Sequence, residues 1–141
     1  MGRIVATGDT PLKTRNAHLR SCAEVVRLLA QRPGFGEEEK DMVAFLVFNL
    51  RGIFSTIDES AQTWDDRGYW KKSEALREKW RWTRATAETL ADLARAGDWH
   101  ALPPHLIELA GRLSDVTVTA ITRDADWWCG AYRALLRESS A

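Results

Sequence analysis

Between Tyr69 and Ala94 the sequence carries a rhythm that suits a long α-helix and little else. Tyr69, Ser73, Leu76, Trp80, Thr83, Ala87, Leu90 and Ala94 follow one another at alternating steps of four and three residues. A mean step of 3.5 keeps side chains on one stripe of a helix, whereas a strand would throw them to both faces. The stripe mixes large and small residues, as a seam does when it packs lengthwise on another helix. Asp65-Asp66-Arg67-Gly68 precedes this helix and Gly97 ends it.

The segment before it reads as a second long helix. It starts at Glu37, with Glu37, Glu38, Glu39 and Asp41 in its first turns, where the positive end of the helix dipole favours anions. Met42, Leu46, Leu50, Ile53 and Ile57 form its stripe; Val43, Phe45, Val47, Phe48 and Phe54 widen that stripe over most of the circumference. Such a helix is packed on more than one side, so it is central or lies at a subunit interface, and it should end within residues 62–66. A first helix is predicted from a cap at Asp9 or Thr10, with Pro11 in its first turn, to about Gln31. It turns Leu19, Cys22, Val26 and Leu29 inward. Arg32-Pro33-Gly34-Phe35-Gly36 stops it.

Pro103 and Pro104 suit the start of a fourth helix, with Leu106, Ala110 and Leu113 inward. Val116-Thr117-Val118-Thr119 is β-branched, but an isolated strand has nothing to pair with. It is therefore read as helical, with a kink, to about Asp124. The run from Asp124 to Glu138 is helical again, with Trp127 or Trp128, Ala131 and Leu135 inward. The expected fold is all-α, an antiparallel up-down bundle of about four helices, in one domain over residues 1–141 with residues 1–10 and 139–141 as loose tails.

The charge is segregated although the whole chain is neutral. Residues 1–36 carry net +4, 37–66 net −6, 67–84 net +5 and 85–141 net −3. A neutral total removes any global pull toward nucleic acid or membrane, so such a role must rest on a local patch. The longest apolar-rich run, Met42 to Leu50, is far too short to span a bilayer. The N-terminus lacks the pattern of a signal peptide. Cys22 and Cys129 have neither framework nor ligand spacing and read as reduced, buried thiols of a cytoplasmic protein.

The unusual stretch is WDDRGYWKKSEALREKWRW, residues 64–82, with four tryptophans. On a helical wheel Trp80 shares the seam with Tyr69, Ser73 and Leu76 and is core. Trp82 points about 160° away, beside Ala75 and Leu93. Arg77, Arg81 and Arg84 fall within about 40° of Trp70. Three uses compete for that face. It can border the acidic second helix, within one chain or between two, with arginines pairing across. It can be a protein interface, since tryptophan and arginine dominate hot spots; here an exposed member of Trp127-Trp128 would join it, and a homodimer is the favoured assembly. It can hold single-stranded nucleic acid weakly by stacking and phosphate contacts.

Signals for chemistry are sparse. His18, His100 and His105 form no metal-ligand pair. Asp58, Glu59, Asp65 and Asp66 gather near one end, where Asp124 and Asp126 reach them only if the fourth helix kinks suitably, so a divalent-metal site there is the minor alternative. No nucleophile motif or phosphate loop is present. Trp80, Tyr69, Ser73 and Thr83 are the candidates for lining a small-ligand pocket. The sequence points to a non-catalytic, self-associating interaction module without a cofactor, and next to a bundle that binds a small ligand or metal.

Overall fold

The computed structural model describes residues 10–139, and no strand occurs among them. In chain order come α1 (Pro11–Gln31), α2 (Glu37–Asp66), α3 (Trp70–Ala96), a 3-10 turn (Trp99–Ala101), α4 (Leu102–Arg112), α5 (Ala125–Trp128) and α6 (Ala131–Ser139). The protein is all-α, as its periodicity required. Asp9 and the tail residues 1–9, 140 and 141 lie outside the described residues. Thr10 is described and caps α1, its hydroxyl accepting from the Lys13 amide at 3.1 Å. Ser139 belongs to α6, so the expected tail starts later.

α2 is the hub. Met42, Leu46, Leu50, Ile53 and Ile57 are fully buried, and so are Val43, Ala44 and Val47 on its other sides. α1, α3, α5 and α6 all pack on it. Each Leu or Ile so buried contributes roughly 1.5–3 kcal/mol, which is why the neighbouring helices have to surround α2 and not merely touch it. On α1, Arg15 donates to Thr56 Oγ1 and Ser60 Oγ, both at 3.0 Å, and His18 Nδ1 lies 2.8 Å from Asn49 Oδ1. Arg32 donates to Glu38 and Glu39 at the connection. Low numbers on α1 thus meet high numbers on α2, and the two helices run in opposite directions. The same holds for α2 and α3, where Asp58 meets Arg77 and Arg51 meets Glu88.

One close approach sets the α1–α2 spacing. Gly52 faces the His18 imidazole, and a Cβ at 52 would overlap the ring. A helix-interior glycine gives up about 1 kcal/mol relative to alanine, and here it makes room for the ring.

The second half departs from expectation. α4 ends at Arg112, and residues 113–124 are irregular. Side chains of α1 explain this, because they satisfy the backbone that a helix would otherwise satisfy internally. Arg27 donates to the Val116 carbonyl and Arg20 to the Ala120 carbonyl. Glu24, fully buried, accepts from the amides of Thr122 and Arg123 and from the Thr122 hydroxyl. The β-branched run is a strap tied to α1, neither strand nor helix. With α4 cut short, Ala110 faces solvent, while Leu113 stays buried. The last segment is also two helices: Gly130, at φ 83°, breaks it, and Cys129 at the break is exposed, not buried. Among the described residues there are therefore three long α-helices and three short ones, in place of four main helices.

The acidic start of α2 does more than answer its dipole. Glu38 accepts the Trp128 indole N–H at 3.1 Å, and Asp41 accepts the Tyr132 amide at 2.9 Å at the start of α6. These carboxylates seat the two C-terminal helices. Phe35, Trp99 and Tyr132 stack in series beside them, at 5.0 and 5.6 Å between centroids.

Two outcomes follow for stability. Gly52→Ala should destabilise the protein by about 1–3 kcal/mol through the clash with His18. In a His18→Ala background the same change should stabilise it, by up to about 1 kcal/mol, because only the helix preference remains. Urea unfolding of the four chains reads this reversal of sign; destabilisation in both backgrounds would mean that His18 is not what Gly52 accommodates. For Glu24, burial pushes the carboxyl up, but the Arg123 amide, the Arg20 guanidinium and the Thr122 amide and hydroxyl together hold it down at about 2. A depressed carboxyl stabilises the fold above its unfolded pKa and loses that contribution as pH falls toward about 2. The urea midpoint should therefore drop below about pH 5, and Glu24→Gln should lower stability at neutral pH and flatten the decline. An unchanged slope in that variant would assign the acid sensitivity elsewhere.

Candidate functional site

The tryptophan-rich stretch spans the α2–α3 corner and the first half of α3. At the corner Gly68, at φ 82°, lets the chain reverse, and the Tyr69 amide reaches back to the Trp64 carbonyl at 2.9 Å. The reversal puts Tyr69 beyond the end of the core. It is 53% exposed, not buried, and sits edge-on to Trp64 at 5.8 Å, with the Lys72 ammonium over both rings. Trp70 follows, 60% exposed, with the Lys71 ammonium over its ring.

The seam beyond it packs on α2 as predicted, with Ser73, Thr83, Ala87, Leu90 and Ala94 buried. Trp80 is partly buried at the rim of the core, not within it. The Arg15 guanidinium lies 5.9 Å from its ring. Trp82 does not point away; its ring stacks on Trp80 at 6.2 Å, and Arg112 of α4 covers it at 5.1 Å. The four residues considered for a pocket do not converge. Tyr69 is outside, the Ser73 hydroxyl donates to the Asp65 carboxylate, and the Thr83 hydroxyl donates to the Trp80 carbonyl at 2.7 Å.

The three arginines do come together. Arg77, Arg81 and Arg84 line one open cleft of about 440 Å³ between α2 and α3, with Phe54, Asp58, Ala85 and Glu88. Arg77 bridges Asp58 and Asp65 of α2, each at 3.1 Å. Hydrogen bonds to these two carboxylates raise the Arg77 pKa, and the Ser73 hydroxyl first, then Arg77, hold Asp65 below the ordinary carboxylate range against the opposing effect of burial. The acidic and basic helices therefore pair within one chain. Arg81 pairs with Glu78, one turn away at 3.0 Å, and both are well exposed. Arg84 lies over the Phe54 ring at 5.9 Å, and among the described residues no carboxylate is within ion-pair distance of it. Trp70 stands on the same helical face, toward the N-terminal end of α3 and outside the cleft.

Trp127 and Trp128 lie elsewhere. Both rings contact Phe45, about 28 Å along α2 from Trp64 at 1.5 Å per residue. Trp128 is 2% exposed, and Trp127 is half-buried beneath the Arg123 guanidinium at 4.5 Å. No member of that pair joins the Trp70 face. Sequence reasoning also missed Phe54 and Ala85 as residues lining the cleft; the available signal was an alanine amid charges on the Arg81 side of the helix.

Among the described residues, no group of three or more His, Cys, Asp and Glu side chains converges on a metal position, and no helix is long and apolar enough to cross a membrane. His105 borders a second recess between α3 and α4, over Trp82, with Glu108 and Arg112. No protein-family model, curated protein or solved structure matches the chain.

The open position of Trp70 has a direct readout. Of the seven tryptophans it is the most exposed, and its lysine neighbours attract anions. At high dilution, iodide should quench a fraction of the fluorescence that Trp70→Phe removes. Equal iodide quenching in the two proteins would mean that this face is not open.

Proposed function

We propose that this chain is a non-catalytic interaction module that assembles with itself, most simply as a dimer, through the outward face of α3. The observation that carries the reading is the exposure of Trp70 at 60% on the same face as an arginine-rimmed cleft. A large indole left in water at the start of a helix gains by finding cover, and Trp with Arg is the pairing that dominates interface energies. The described part of α6 fills the groove of α2 and α3 only as far as Glu138, which pairs with Arg51 and Arg95. The groove continues past that point as the open cleft.

In this reading the packing is an antiparallel up-down bundle of α1, α2 and α3, with α4 to α6 sharing the fourth place and the charged flanks of α2 and α3 fixing helix order. The reading places the chain in the cytoplasm, in keeping with two cysteines held apart, one buried and one exposed. Arg77 and Arg81 are answered by Asp58, Asp65 and Glu78, which takes two of the α3 arginines from a phosphate backbone.

The test is the mass of the untagged protein across a dilution series, by native mass spectrometry and sedimentation velocity. The expected species is a bare multiple of the 16.0 kDa chain that dissociates on dilution, while Trp70→Ala stays monomeric with an unchanged circular dichroism melt. A monomer at every concentration would overturn self-assembly, and a reproducible added mass would favour a ligand-binding bundle.

A further inference from the structure

The occupant of the α3 face can be named from the order of its side chains. On a helical wheel Trp70, Glu74, Arg81 and Ala85 lie within about 60° of one another, and all four are exposed. Arg77 and Glu78 flank that line, Arg77 partly covered and Glu78 with its side chain 72% exposed. The step from Trp70 to Glu74 equals the step from Arg81 to Ala85, and the point midway between the two groups falls between Arg77 and Glu78. Read from that midpoint, the face carries an acid, then an indole, in one direction. In the other it carries a base, then a small residue beside a cleft.

Resting on the reading above, we infer that the partner is a second copy of this chain, with α3 laid antiparallel on α3 about a two-fold axis between Arg77 and Glu78. In this register Arg77 stays on Asp58 and Asp65 of its own chain, while Glu74 meets Arg81 of the second copy and Trp70 sits at the height of Ala85. There its indole enters the mouth of the cleft and comes within reach of the Arg84 guanidinium and the Phe54 ring. Two-fold symmetry repeats every contact, so two indoles are covered and two Glu74–Arg81 pairs form. A parallel arrangement would set Glu74 against Glu74 and Arg81 against Arg81, and only the antiparallel one is self-complementary.

The surrounding chemistry permits this exchange. The Arg81–Glu78 pair is an exposed contact within one turn, and such pairs are weak enough to trade for pairs across an interface. Arg84, over Phe54 and with no carboxylate in ion-pair distance among the described residues, gains an aromatic face, a contact that strengthens as water leaves. Ala85 has no side chain to block the indole. The paired stretch from Trp70 to Ala85 is about 22 Å long at 1.5 Å per residue. An interface of that length falls in the small, transient class, so the dimer should dissociate at micromolar dilution.

Charge exchange tests the register. Sedimentation equilibrium would compare the natural chain with E74R, R81E and the double variant E74R/R81E, with circular dichroism melts as the folding control. Each single change replaces two attractions with two repulsions and should raise the dimer dissociation constant about thirtyfold. The double variant restores both pairs in reversed sense and should return to within about threefold of the natural chain. A85W, which fills the position under the indole, should abolish the dimer at any salt. Single variants that dimerise normally, or a double variant that stays monomeric, would overturn this register while leaving self-association standing. A natural chain that is monomeric at all concentrations would overturn both.

Discussion

Everything in this molecule is arranged around a helix that cannot be left with an exposed side. From Met42 to Ile57, α2 buries residues around most of its circumference, which an amphipathic surface helix never does. Two long helices cover two flanks, and the remaining flank near its N-terminus is left to short elements. Polar contacts then decide where along α2 each neighbour sits. The imidazole of His18 against Gly52 and the guanidinium of Arg15 against Thr56 and Ser60 fix α1. Glu38 and Asp41 fix α5 and α6. Apolar burial supplies most of the driving force, and these few directional contacts supply the register.

The strap of residues 113–124 shows a different economy. A fourth long helix would have satisfied its own backbone. Here Arg20, Glu24 and Arg27 on a single helix provide the donors and acceptors in its place. A carboxylate in the interior is tolerable because several donors converge on it and an arginine lies alongside, which offsets the desolvation that would otherwise neutralise it. The strap then delivers Trp128 to the far end of α2, where a direct helical connection from α4 would have pointed elsewhere.

The long helices were legible because periodicity is a local property. The bounds of α1 and α2, the seam of α3 and the central place of α2 all follow from spacing and caps. What was not legible depends on contacts across the chain. Nothing within residues 113–124 says that Glu24, about a hundred residues earlier, will bind their amides. Tyr69 fits the seam by spacing, yet the Gly68 turn carries it past the end of the core. Trp80 and Trp82 point apart on a wheel and their rings still stack, because long side chains can reach well beyond the direction of their Cα–Cβ bonds. Of the candidate surface, the grouping of Arg77, Arg81 and Arg84 could be read from a wheel. The separation of Trp127 and Trp128 from Trp70 could not, since it depends on where the strap leads.

The segregation of charge between α2 and α3 therefore has two separable consequences. Toward α2, opposite charges meet inside one chain, at Arg77 with Asp58 and Asp65 and at Arg51 with Glu88, and this helps to set which helices are neighbours. Away from α2, the exposed line of α3 carries one acid, Glu74, and one base, Arg81, instead of a single sign. A face built for a polyanion would present bases in succession and gain from the sum of their fields. A face whose signs reverse about a midpoint gains nothing from such a polymer and most from a copy of itself turned end for end. In the proposed dimer the exposed indole and the small residue would follow the same reversal about the same midpoint, so that shape and charge would favour one orientation together.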